Sequence, residues 1–170
     1  MARDQWTVEV VRSRNRRKTV QAAQEGNVVR VYMPATMTRA DEEKWVDEML
    51  SRMERRERRE RAEAAVDLDE RAALLSARHL DGYARPSSVR WVTNMRDRYG
   101  SCTPDDGTIR ISDGLSGMPG WVLDYVIVHE LVHLIEPSHN SRFWALVARY
   151  PRTERARGFL LAKGMDEDDA

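Results

Sequence analysis

The stretch WVLDYVIVHELVHLIEPSHN, residues 121–140, decides how the chain is read. Val126, Ile127, Val128, Leu131, Val132, Leu134 and Ile135 run almost all the way round a helix. A helix that is apolar on every side is a buried one. His129, Glu130 and His133 sit in its middle. Burying such groups costs several kcal/mol unless they are paired or bound to a metal. Residues four apart share one helix face, so His129 and His133 can reach the same ion. Neutral imidazole suits Zn²⁺ in charge and softness. Glu130 projects beside that ion, where a carboxylate can take a proton from an activated water. Pro119 suits a first helical turn, so the helix is expected to run to about Glu136, where Pro137 breaks it.

A catalytic zinc takes three protein ligands and keeps one position open. His139 is the expected third ligand, because Pro137-Ser138 turns the chain out of the helix just before it. The spacing is that of the metzincins, but Glu136 stands where they carry glycine. Glu136 is therefore the rival third ligand. His79 lies too far along the chain to be assigned. Cys102, the single cysteine, reads as a small buried thiol, with a nucleophile or an inhibitory fourth ligand as alternatives. Arg98 and Tyr125 are candidates for holding a developing oxyanion.

Outward from this helix, period-two alternation at Trp6, Val8 and Val10 predicts a strand. Two further strands are expected at Thr19–Ala23 and Val28–Met33, separated by Gly26-Asn27 and stopped by Pro34. Thr38 with Asp41 resembles a capping box, and Trp45, Met49 and Met53 then recur at helical spacing. The run RMERRERRERAE, residues 52–63, interleaves Glu and Arg. It reads as a solvated helix with i,i+4 ion pairs, or else as an Arg-rich nucleic-acid face. Asp67 and Glu70 suggest a second helix with Leu74, Leu75, Ala77 and Leu80 on its apolar side, ended by Gly82 and Pro86. Residues 88–112 return to β structure. Asp105-Asp106-Gly107 is a turn signal there, and Thr108–Ser112 is read as a strand exposed at the edge of a cleft. A last helix is expected from Asn140-Ser141 to Tyr150. An α+β class is expected, with a small antiparallel sheet packed on helices that include the one carrying the site. One domain over residues 1–163 is expected, with a β region at 1–34, a helical region at 38–83, a catalytic core at 88–163 and a disordered acidic tail at 164–170.

The chain resembles the YgjP-like metallopeptidases, relatives of the SprT-like zincins. Arg16–Val20, Arg98-Tyr99-Gly100-Ser101-Cys102, Ile109–Ser112, Leu115, Pro119 and Asp124-Tyr125-Val126 carry the likeness. His129-Glu130-Leu131-Val132-His133, His139 and Phe143-Trp144 complete it. Tyr99 stands where that family usually has tryptophan, and Ser138 and Asn140 flank His139 in place of its usual Asn and Ser. The resemblance implies a zincin-like fold with the active-site helix beneath a small sheet, and a metal-dependent hydrolase.

The whole reading is therefore a hydrolase with one Zn²⁺ per chain on His129, His133 and His139, Glu130 as general base, and a peptide or protein substrate. The alternatives are hydrolysis of a nucleotide, with Arg12–Lys18 and Arg98 holding phosphates, and a non-catalytic DNA-associated zinc module. The 170 residues are 41% apolar and 33% charged, which is a globular composition. Basic and acidic residues balance at 28 each, so bulk charge gives no reason to expect nucleic acid. The N-terminus lacks the apolar core of a signal peptide, and no stretch approaches the roughly 18 apolar residues of a membrane span. With one cysteine and no possible internal disulfide, a reducing cytoplasmic setting is expected. Oligomeric state has no sequence signal.

Overall fold

The turn at Gly26, with φ at +61°, organises the N-terminal part of the computed structural model, which describes residues 6–95 and 98–164. The chain forms two units, Met1–Glu57 and Arg58–Ala170. In the first, β1 (Thr7–Ser13), β2 (Gln21–Glu25) and β3 (Val28–Pro34) form a sheet in the order β1-β3-β2. β2 and β3 are an antiparallel hairpin, and β1 lies parallel to β3 on its other side. β2 starts at Gln21 rather than at Thr19 and runs to Glu25, where a two-residue turn pairs Glu25 with Val28 and sets the register. Val29, Val31 and Met33 face the core with Trp6, Met49 and Leu50, whereas Val8 and Val10 are exposed. The alternation in β1 thus reports a strand without a buried face of its own.

Helix α1 spans Arg39–Ala65. Thr38 Oγ1 accepts the Asp41 amide at 3.1 Å, and its hydroxyl donates to Asp41 Oδ2 at 2.7 Å, which is the expected cap. The Glu/Arg run is helical and carries i,i+4 pairs such as Arg59–Glu63 at 3.3 Å.

In the second unit, α2 (Leu68–His79) is capped by Asp67, which accepts the Glu70 amide at 3.0 Å. Its buried face is Leu68, Ala72, Leu75 and Ser76, while Leu74 and Ala77 are exposed. That set obeys the 3.6-residue period, which the expected grouping of Leu74 with Leu75 and Ala77 did not. β4 (Ser88–Val92), β5 (Gly100–Thr103) and β6 (Thr108–Ser112) follow in the order β4-β6-β5. β5 and β6 form a hairpin across Gly107, where φ is +69°, and β4 runs parallel to β6. The fold is α+β, and both its small sheets are mixed rather than wholly antiparallel. Thr108–Ser112 is consequently the central strand. Both its ladders are used, so it cannot be the exposed edge expected of it; the edges are β4 and β5.

A short 3-10 helix (Asp113–Gly117) leads to α3 (Gly120–His133). α3 is buried from Val122 to Val132, as its all-round apolar surface requires. Ile109, Ile111, Val89 and Trp91 of the sheet share its core with Leu75, Leu115, Phe143 and Val147. Each such side chain contributes about 1.5–3 kcal/mol on burial. Arg71 donates twice to the buried Asp124, both at 2.7 Å, and so ties α2 to α3. Past His133 the turn tightens, with Leu134 and Ile135 donating to Leu131 and Val132, until Pro137 stops it. α4 (Ser141–Val147) begins at Asn140, whose side chain accepts the Arg142 and Phe143 amides. A further helix, α5 (Thr153–Leu161), follows Pro151 and was not foreseen. Its buried Ala156 and Leu160 are sparse among charged residues, so its period is faint. The acidic tail lies outside the described residues from residue 165 onward.

Candidate metal centre

α3 holds His129 and His133 one turn apart, and the Pro137 turn folds His139 back over them. His139 Nε2 stands 3.2 Å from His129 Nε2 and 3.1 Å from His133 Nε2. Two nitrogens bound to one tetrahedral zinc at its usual bond length lie about 3.3 Å apart. The three imidazoles therefore fit a single ion. His133 Nδ1 donates to the Pro137 carbonyl at 3.2 Å, which leaves the lone pair on Nε2, the atom facing the other two rings. Burial, and then the neighbouring His139, lower the His133 pKa and favour the neutral form that a metal needs. Burial falls across the site: His129 is buried, His133 half-buried and His139 exposed.

Phe143, fully buried on α4, packs on all three rings, with centroids 4.8, 4.6 and 4.5 Å from His129, His133 and His139. Trp144 stacks on His139 at 5.7 Å, and Arg157 covers Trp144. Phe143→Ala should cost about 3–5 kcal/mol of stability. It should also weaken metal binding about 10–100-fold, as loss of a group that orients ligands does. Thermal melting and metal-competition titration measure the two effects.

Glu130 is 1% exposed and its Oε1 has no hydrogen-bond partner among the described residues. Burial pushes its pKa up to about 8, against the pull of Arg98. A carboxylate so placed lacks compensation that a cation beside it would provide. Gly100 of β5 closes over it. A Cβ at Gly100 would meet Glu130 Cγ and Cδ at 2.8 Å, and Oε1 closer still. Glu130, His133 and His139 open onto a cleft of about 1260 Å³, whose walls include Arg98, Gly100, Ser101 and Cys102.

A family model described as a YgjP-like metallopeptidase domain matches residues 57–161, which span every residue of this site. The chain belongs to the YgjP-like family. It is therefore a metallopeptidase, and its metal has a place to bind in the three histidines. Among solved structures, the metallopeptidase zymogen abylysin of Pyrococcus abyssi shares the fold, with 22% identity and a TM-score of 0.50. The match covers 57% of this chain and 94% of that one. Comparison with curated proteins found no match.

The other candidates of this YgjP-like chain sort by position. Glu136 is not in the histidine group and faces Arg142 at 3.8 Å. His79 packs edge-on against Tyr150, at 5.4 Å. Tyr125 is buried with its ring near His129, whereas Arg98 stays on the cleft wall. Arg12 is engaged by Glu42 and the Met37 carbonyl within the first unit. Cys102 lines the cleft half-buried but is outside the metal-ligating group. Burial first, then Glu130 and Asp106, push its thiol up to about 12. A protonated thiol is a poor nucleophile and a poor ligand. Iodoacetamide at pH 7.5 should thus modify native Cys102 at least tenfold more slowly than the unfolded chain, read by mass spectrometry. Gly100 and Phe143 were quoted in the sequence without a role. Their importance lies in what packs on them, and no local pattern announces that.

Proposed function

We propose that this metallopeptidase is a zinc enzyme that hydrolyses peptide bonds, with His129, His133 and His139 holding one ion and Glu130 as the general base. The convergence of three Nε2 atoms beside a buried carboxylate supports this reading best. Zinc held by these histidines would supply Lewis acidity and lower the pKa of an attacking water to about 7. Glu130 accepts the proton as that water adds to the scissile carbonyl carbon. It then hands the proton to the leaving amine as the C–N bond breaks. An extended substrate lies along edge strand β5, whose Gly100–Thr103 backbone is paired, among the described residues, only on the β6 side. Gly100 there leaves the Glu130 carboxylate room to reach the substrate.

Elemental analysis of purified protein tests the metal. One zinc per chain is expected. A chelator should abolish peptide cleavage, and added Zn²⁺ should restore it. Full metal occupancy in His129→Ala, His133→Ala and His139→Ala alike would refute the ligand set. A nucleotide hydrolysed faster than every peptide in a proteome-derived mixture would refute the substrate class.

A further inference from the structure

The wall of the cleft beside the histidines is strongly positive. Arg59, Arg90, Arg98 and Arg110 line it, and Glu130 is its one acid among the described residues. Arg59 is paired with Glu63 at 3.3 Å. Arg90, Arg98 and Arg110 form no ion pair among the described residues. Asp106 feels Arg110 and Arg90 at a distance, but its Oδ1 is taken up by the Thr108 amide and hydroxyl, at 2.8 and 2.6 Å.

The register makes the arrangement pointed. Arg90 of β4 lies directly opposite Arg110 of β6, and Arg110 lies opposite Ser101 of β5. Like charges facing each other across a ladder destabilise a sheet. An acid at either position would relieve that cost, and neither position has one. A row of two guanidiniums thus runs toward the edge strand that flanks the base. A substrate strand added to β5 would lie about 10 Å, two strand spacings, from β6. A long acidic side chain and an arginine reaching toward each other cover that gap.

We infer that the cleft selects acidic peptides, with Arg110 and Arg98 pairing to Asp or Glu side chains next to the scissile bond and Arg90 adding its charge behind Arg110. The inference rests on the peptidase reading and names its substrate class. Phosphates of a single-stranded nucleic acid would meet the same charges. The peptide is favoured because the row leads to a free strand edge, where a backbone with amide donors and acceptors is recognised.

The test uses the full-length zinc-loaded protein and fluorescent decapeptides of one sequence, carrying either four Asp/Glu or the matching Asn/Gln. Binding is measured by anisotropy on Glu130→Gln, and cleavage on wild type. At 50 mM salt the acidic peptide should bind at least tenfold more tightly. That ratio should narrow toward one at 500 mM salt, as screening requires. It should also narrow in Arg110→Gln and Arg90→Gln, and invert in the Arg90→Glu/Arg110→Glu double variant. If the double variant does not fold, the Gln variants decide alone. Equal binding of the two peptides overturns the inference, as does a preference that survives both salt and the Gln variants. Tighter binding of a single-stranded oligonucleotide of the same charge overturns it in favour of nucleic acid. Wild-type cleavage of neutral peptides as fast as acidic ones sinks this inference and leaves the peptidase standing. Failure to cleave any peptide sinks both.

Discussion

Glu130→Gln should keep the metal and lose turnover by about three orders of magnitude, within the range a general base contributes. The amide has nearly the shape of the carboxylate, so it fits under Gly100 and leaves His129, His133 and His139 where they are. It cannot accept the proton that a carboxylate takes. Metal content per chain and kcat on one verified peptide give the two readings. Unchanged kcat would end the general-base assignment. The substitution has a second signature, in the metal-free protein. Burial holds the folded pKa of Glu130 near 8, against an ordinary 4.5, so the folded state binds this proton more tightly than the unfolded chain. Its contribution is full below pH 4.5 and is lost as the pH rises through 8. Metal-free wild type should therefore lose stability across that window relative to Glu130→Gln, by up to several kcal/mol. Denaturant midpoints of the two proteins at pH 5 and pH 9 isolate the effect from the histidines, which both share.

What could be read in the sequence was whatever a short covalent spacing fixes. His129, Glu130 and His133 are bound to one helix, and the all-apolar flanks say that helix is buried. Pro137 dictates the turn that returns His139. Thr38 and Asp67 announce helix starts because a cap is a contact between near neighbours. The strand order β4-β6-β5 has no such signature, so Thr108–Ser112 passed for an edge when it is central. The pairing of Arg90 with Arg110 depends on that same order and was invisible for the same reason. Leu74 was misplaced because a single apolar residue beside the true stripe looks like part of it. α5 was missed because its apolar residues are too few to show a period.

Gly100→Ala should come close to Glu130→Gln in its loss of kcat, with metal content unchanged. The glycine is needed for space: its φ lies outside the left-handed region, and a methyl group there would sit 2.8 Å from Glu130 Cγ and Cδ. Those atoms are the middle of the side chain, and Glu130 is 1% exposed, so it has no solvent to retreat into. Either the carboxylate turns off its line of attack or β5 moves away from α3. A displacement of about 1 Å in a catalytic group is enough to cost about 100-fold. Overpacking of this kind also costs about 1–3 kcal/mol of stability. A double-mutant cycle separates this collision from a general weakening of the strand. In a Glu130→Ala background the collision partner is gone, so Gly100→Ala should cost almost no stability there. Gly158→Ala, in a helix with nothing within 4 Å of the new methyl, supplies the comparison, and should stabilise by up to about 1 kcal/mol. A Gly100→Ala enzyme with wild-type kcat would mean that the carboxylate works from elsewhere than under β5. A stability cost undiminished in the Glu130→Ala background would mean that the methyl offends the sheet rather than the base.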